Sequence, residues 1–362
     1  MHPYQTLSDE HFWSKAIASR APDQILYDPT PRFRFTMATD QFATAGSCFA
    51  QHFGRELAAR GGRLLLAESR HPLIDADANH GYSAFSARYG NLYTTTQLRE
   101  LFEQACGVRA PVFEFVRRED GRWVDMLRPR AIPDGLSTEE DCRADRGYHL
   151  ARVRSMMQRC TVFVFTLGLT ESWVNRERGH AYGLCPGVAA GHFDPGMHEF
   201  RNLSFAECHR DLVTALQLLW RENPAAKVLL TVSPVMLVAT CEARGVLQSS
   251  VASKSILRAV ADECVRTLPQ VDYFPSYEII SAPPARGRYF DATGRDVTAD
   301  GVKLVMDTFF RTRMRGDSAA ASMPAGGATH EPGWRSALAS VSAALEADCD
   351  EVLLDRKDKL PG

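Results

Sequence analysis

Residues 42–57 read Phe42-Ala43-Thr44-Ala45-Gly46-Ser47-Cys48-Phe49-Ala50-Gln51-His52-Phe53-Gly54-Arg55-Glu56-Leu57. A short β-prone run meets Gly46-Ser47, and from Phe49 onward apolar residues recur at Phe53 and Leu57, the spacing of one helix face. The pattern predicts strand, tight turn, helix. Ser47 then stands at a strand end and at the first turn of a helix, where unpaired N–H groups and the positive end of the macrodipole favour a developing oxyanion. A serine there is a candidate nucleophile, or it N-caps the helix, since serine is among the best caps. The local pattern leaves both roles open.

Working outward, continuous β-branched and aromatic runs at 160–166 and 227–232, with a shorter one at 271–274, have the character of buried parallel strands. A weaker strand is expected at 63–67. Helical periodicity covers 96–106, 143–159, 205–223 and 253–268. Strand and helix alternate, which predicts an α/β three-layer sandwich around a mainly parallel sheet. In such sheets ligands sit at the carboxyl ends of the strands, where Ser47, Thr170-Glu171, Ser233-Pro234 and Tyr277-Glu278 fall. Residues 1–40, punctuated by Pro22, Pro29 and Pro31, are read as an N-terminal arm, 41–310 as the α/β domain, and 107–148 as a hairpin excursion within it. Residues 311–332 are read as a linker and 333–362 as a C-terminal helix that could pack back or form a homodimer.

Of the 362 residues, 45% are apolar and 24% charged, and the net charge of −2 gives no global attraction for nucleic acid or an anionic membrane. The start lacks a basic segment followed by an apolar one, and no apolar run approaches membrane-spanning length, so a cytoplasmic protein without membrane association is expected. Nine scattered cysteines without CxxC or Cys/His metal spacing predict reduced thiols, with Cys48 used in packing. The glycine patterns of nucleotide sites and the His-Glu-x-x-His zinc motif are missing, so no metal or cofactor is expected.

Gly46-Ser47-Cys48-Phe49-Ala50 resembles the eponymous motif of the GSCFA family, grouped with SGNH/GDSL-like esterases and acyltransferases. Further stretches resemble the family in the same order: Tyr89-Gly90-Asn91-Leu92-Tyr93, Thr166-Leu167-Gly168-Leu169-Thr170-Glu171, Leu230-Thr231-Val232-Ser233-Pro234-Val235, Ser253-Lys254-Ser255 and Tyr273-Phe274-Pro275-Ser276-Tyr277-Glu278. The resemblance implies a flavodoxin-like SGNH-hydrolase fold, Ser47 as nucleophile, the Gly90 N–H as an oxyanion donor, and Thr170 where the clan usually places an oxyanion asparagine. Asn91 and Glu171, in the same blocks, join the expected substrate contacts. Where members can carry Asp-x-x-His, this chain has Thr293-Gly294-Arg295-Asp296, so Asp296 occupies the place of the base. An aspartate is a far weaker base than imidazole unless burial raises its pKa.

Any imidazole base must therefore come from elsewhere. His52 follows Ser47 by five residues, which on a helix turns it about 140° from the serine face. His192 and His198 lie in a Gly/Pro-rich stretch after Glu171 and either could cover the site. Asp291 is a candidate orienting carboxylate or a turn cap. Arg88, Lys254 and Arg258 could meet an anionic sugar or a CoA phosphate, or form salt bridges. The resulting expectation is a Ser47 acyl-enzyme acting on an acylated carbohydrate or similar polar small molecule, as esterase or O-acyltransferase, with acyl-CoA as co-substrate for transfer. The alternative is a member that binds a glycan or protein without turnover, having lost the histidine.

Overall fold

A computed structural model describes residues 2–68, 82, 85–315 and 354. After short 3-10 and π turns in the first forty residues, the chain enters β1 (Gln41–Gly46), α1 (Cys48–Ala59) and β2 (Arg63–Leu64). There follow α2 (Thr95–Ala105), the hairpin β3 (Phe115–Arg117) and β4 (Trp123–Asp125), α3 (Glu139–Arg159) and β5 (Val162–Leu167). A second group of strands comes next: β6 (Glu171–Asn175), β7 (Ala181–Tyr182) and β8 (His198–Asn202). The chain then runs through α4 (Phe205–Glu222), β9 (Lys227–Val232), α5 (Val246–Thr267), β10 (Val271–Tyr273), α6 (Ser276–Ser281) and α7 (Ala299–Arg313).

The central sheet has five strands, all parallel, in the order β2-β1-β5-β9-β10. Its strands alternate between two cores. In β5, Phe163, Phe165 and Leu167 join the core beneath α2, α3, α4 and α5, while Val162 and Val164 join the core formed with α1, α6 and α7. Both faces are thus covered, as the near-continuous apolar character of β5 and β9 requires. Chain order doubles back between β1 and β5, so a crevice opens beyond the carboxyl ends of these two strands. Ser47 follows β1, and Gly168 follows β5.

Several elements differ from the sequence expectation. The strand read at 63–67 pairs with β1 only over Arg63–Leu64. α3 starts four residues before 143, because Thr138 and Asp141 form a reciprocal capping box. α5 starts at Val246 rather than 253. Between Glu171 and Asn202, where no strands were expected, the chain forms the antiparallel sheet β7-β6-β8, the Gly/Pro-rich stretch at 190–197 being the turn before β8. α7 continues to Arg313, into the stretch read as linker, and its apolar face of Val302, Val305, Met306 and Phe309 is buried. The remaining linker from 316 and the expected C-terminal helix lie outside the described residues, apart from Leu354. Among the described residues no helix is long and apolar enough to cross a membrane.

Candidate active site

Gly46 has φ +133°, and a Cβ there would collide with the Thr166 carbonyl and side chain, so β1 and β5 approach at their ends only because this residue is glycine. Ser47 follows with extended backbone and begins α1 as its N-cap residue, yet its side chain makes no capping bond. The residue is 3% exposed, and Ser47 Oγ has no hydrogen-bond partner among the described residues. The hydroxyl is thus buried at a helix start and unspent on capping.

Two further segments close on it. Leu92 N–H donates to the Gly46 carbonyl (2.8 Å), which brings Gly90-Asn91 alongside the end of β1. Gly168 and Leu169 N–H groups both donate to the Tyr93 carbonyl (3.2 and 2.9 Å), and a Cβ on Gly168 would lie 3.2 Å from Ser47 Cβ. Gly90 has φ +70° with open space beside its Cα. Asn91 is buried, and its Oδ1 accepts from Gln51 Nε2 (3.2 Å), one turn along α1 from Ser47. Thr170 is buried, its N–H donates to Ser253 Oγ (3.1 Å), and its own hydroxyl has no partner among the described residues. Ser47, Gly90, Asn91 and Thr170 therefore gather at the crevice between β1 and β5.

Lys254 is fully buried on α5, and its Nζ donates to the Gly168 carbonyl (2.7 Å). It is not the surface anion contact that its charge suggested, because the ammonium is turned inward onto the loop beside Ser47. Arg88 is likewise buried and charge-paired. It is 2% exposed, ion-paired to Asp145 and close to Glu68 (3.5 Å), within a cluster that also holds Arg128 and His149. Arg258 pairs with Glu278 (2.6 Å) and stacks over Tyr273. Glu171 is half-buried and accepts from Thr240 Oγ1 (2.7 Å), and burial pushes its carboxyl above the usual range.

No histidine among the described residues hydrogen-bonds Ser47 Oγ. His52 Nδ1 faces Arg55 (3.0 Å), and burial, with the Arg55 charge, pushes the His52 pKa down to about 4. His192 is exposed. His198 pairs in register with Asn175, whereas Glu171 pairs with Asn202. It thus sits four residues, about 14 Å, along the strand from Glu171, with Nδ1 accepting from Asp194 N–H (3.0 Å). His198 thus opens β8 at the end of the strand opposite Glu171, and His192 stands on the exposed turn before it.

Asp296 lies in a turn tied by Asp291, whose carboxylate accepts from Thr293 Oγ1 (2.7 Å) and the Asp296 N–H (3.2 Å). The Asp296 side chain is 52% exposed and pairs with Arg295 (2.6 Å). Its neighbour Val297 nevertheless packs against Cys48, so this turn does return to the start of α1.

Sequence reasoning missed Gly168 as a direct neighbour of Ser47, Ser253 as the support of Thr170, and the second wall of the crevice at Val235 and Leu237. Val235 packs on Cys48, and Leu237 on Leu169 and Tyr93. Leu169 and Leu237 open a cleft of about 140 Å³ that runs on past Trp173, Tyr182 and Phe200. No period-two pattern marks that cleft in the sequence: Glu171-Ser172-Trp173-Val174-Asn175 and His198-Glu199-Phe200-Arg201-Asn202 are mainly polar, with Trp173 and Phe200 as isolated aromatics. Compared with known families, the chain matches the GSCFA family over residues 41–309. No curated protein and no solved structure matches it.

Proposed function

The chain belongs to the GSCFA family, and from that premise we propose that it is an SGNH-like serine acyl-ester enzyme, an esterase or O-acyltransferase working through Ser47. The observation that carries this reading is the Ser47 hydroxyl itself, held at the start of α1 beyond the end of β1 and unspent on capping. Ser47 Oγ attacks the ester carbonyl, the alcohol leaves, and the acyl group passes from Ser47 to water or to a sugar hydroxyl. Acyl-CoA serves as donor if the reaction is transfer. Ser47 N–H already donates to the Thr166 carbonyl (3.3 Å), so the oxyanion falls to the first turn of α1, Gly90 N–H and the Thr170 hydroxyl. An acylated carbohydrate as substrate rests on analogy with the clan alone.

One observation favours a second reading, binding of a glycan or protein without turnover: among the described residues no imidazole is bonded to Ser47, and Asp296 is occupied by Arg295. A fluorophosphonate probe separates the two. We expect the wild-type chain to be labelled and Ser47→Ala to lose all labelling while keeping its circular dichroism spectrum. Equal labelling of both, or none of either, would move the binding reading ahead.

A further inference from the structure

The two walls beside Ser47 lead into one cleft. On one side Gly168 abuts Ser47 Cβ and the chain continues through Leu169 and Glu171 to Trp173 of β6. On the other, Val235 packs on Cys48 and Leu237 meets Leu169. Leu169, the residue after the Gly168 that abuts Ser47, is itself part of the cleft lining, so the cleft begins one residue along the chain from the serine's neighbour. Its lining is mainly apolar and aromatic, with Leu169, Trp173, Tyr182, Phe200 and Leu237 along it, and it encloses about 140 Å³. One aliphatic group already lines it: Leu354, thirty-nine residues beyond Arg315, comes back from the far end of the chain to this cleft.

We propose that the cleft binds the aliphatic acyl chain of the ester, and that Leu354 competes with it from within the same molecule. This rests on the Ser47 reading for its chemistry. Its geometry stands apart, because an apolar chain can occupy the cleft whether or not Ser47 turns it over. The carbonyl would sit at the β1–β5 crevice with the chain directed along Leu169 and Leu237 toward Trp173. A polar alcohol portion would then face away from the cleft. Each methylene added to the chain should tighten binding about three- to fourfold until the cleft is full, the factor equivalent to about 0.8 kcal/mol per buried CH2.

The test uses the full chain carrying Ser47→Ala, which cannot turn the probe over, titrated with methyl butanoate, hexanoate and octanoate while tryptophan fluorescence is read. We expect affinity to climb with chain length, the signal to vanish in a Trp173→Phe background, and Leu354→Asp to tighten binding several-fold by clearing the cleft. Affinity independent of chain length, or a signal that survives Trp173→Phe, would overturn the acyl-chain site. Unchanged affinity in Leu354→Asp would overturn the competition. Chain-length dependence in a protein whose wild type resists fluorophosphonate would uphold the cleft and sink only the serine chemistry.

Discussion

Ser47 is readable from its neighbours because its role is set within a few residues: a glycine that permits close approach, then a helix start. Charged residues carry no such local sign. Arg88 and Lys254 look like surface cations in the sequence, yet both are buried against partners supplied from distant segments, Asp145 for one and the Gly168 carbonyl for the other. His52 is a similar case with a measurable result. Burial holds it neutral in the fold, with its pKa pushed down to about 4, against about 6.5 in an unfolded chain. The unfolded state therefore takes up the proton first, so the fold has its full stability above pH 6.5 and loses it as the pH falls toward 4. Replacing His52 with Gln should flatten part of that decline in urea-melt midpoints between pH 7 and 4. An equally steep decline in the variant would mean that His52 ionises freely in the fold.

At the scale of elements, α5 does more than cover the sheet. Ser253 and Lys254, adjacent on it, hold both ends of Gly168-Leu169-Thr170, one by accepting from the Thr170 N–H and the other by donating to the Gly168 carbonyl. Lys254→Met would leave that carbonyl without its charged donor and let the loop shift against Ser47. A displacement of about 1 Å costs on the order of 100-fold in reactivity, so the rate of fluorophosphonate labelling should fall by about that factor with secondary structure retained. A labelling rate within twofold of wild type would show that the loop holds itself. The long periodic helices α2 and α4 and the apolar strands β5 and β9 were legible because a single repeat fixes each. α7 was missed although Val302, Val305, Met306 and Phe309 repeat at helical spacing and Thr298 caps its start. The sheet β7-β6-β8 was missed because its strands are short and separated by Gly/Pro-rich turns, and the cleft disappeared with it.

For the whole molecule, alternation of strand and helix was enough to foresee a parallel sheet, but not what fastens its edge. The N-terminal arm does this together with α7. Arg313, 1% exposed, forms a bidentate pair with Asp28 (2.6 and 2.9 Å), bonds Asp272, and donates to the Tyr273 carbonyl (2.6 Å). Phe35 forms a parallel bridge with Met314 beside it, and Arg32 donates to carbonyls at the end of α5 and the start of β10. Removing one partner of such a buried network typically costs 3–5 kcal/mol, because the remaining charges stay buried. Arg313→Met should lower the unfolding free energy from denaturant titration by about that amount. A loss under 1 kcal/mol would show that Asp28 and Asp272 find water or other donors.

The same clamp orders events in time. Asp28 precedes Arg313 by 285 residues and Asp272 precedes it by 41, so a chain emerging from the ribosome makes both aspartates before their common cation, Asp28 by far the earlier. Until Arg313 arrives, the end of the sheet at β10 brings two carboxylates toward one place with nothing to neutralise them, and docking of the arm is opposed. Synthesis and completion of the fold are thereby coupled: a product broken off before the end of α7 keeps a loose, proteolytically open edge, whereas one that reaches Arg313 closes it with α7.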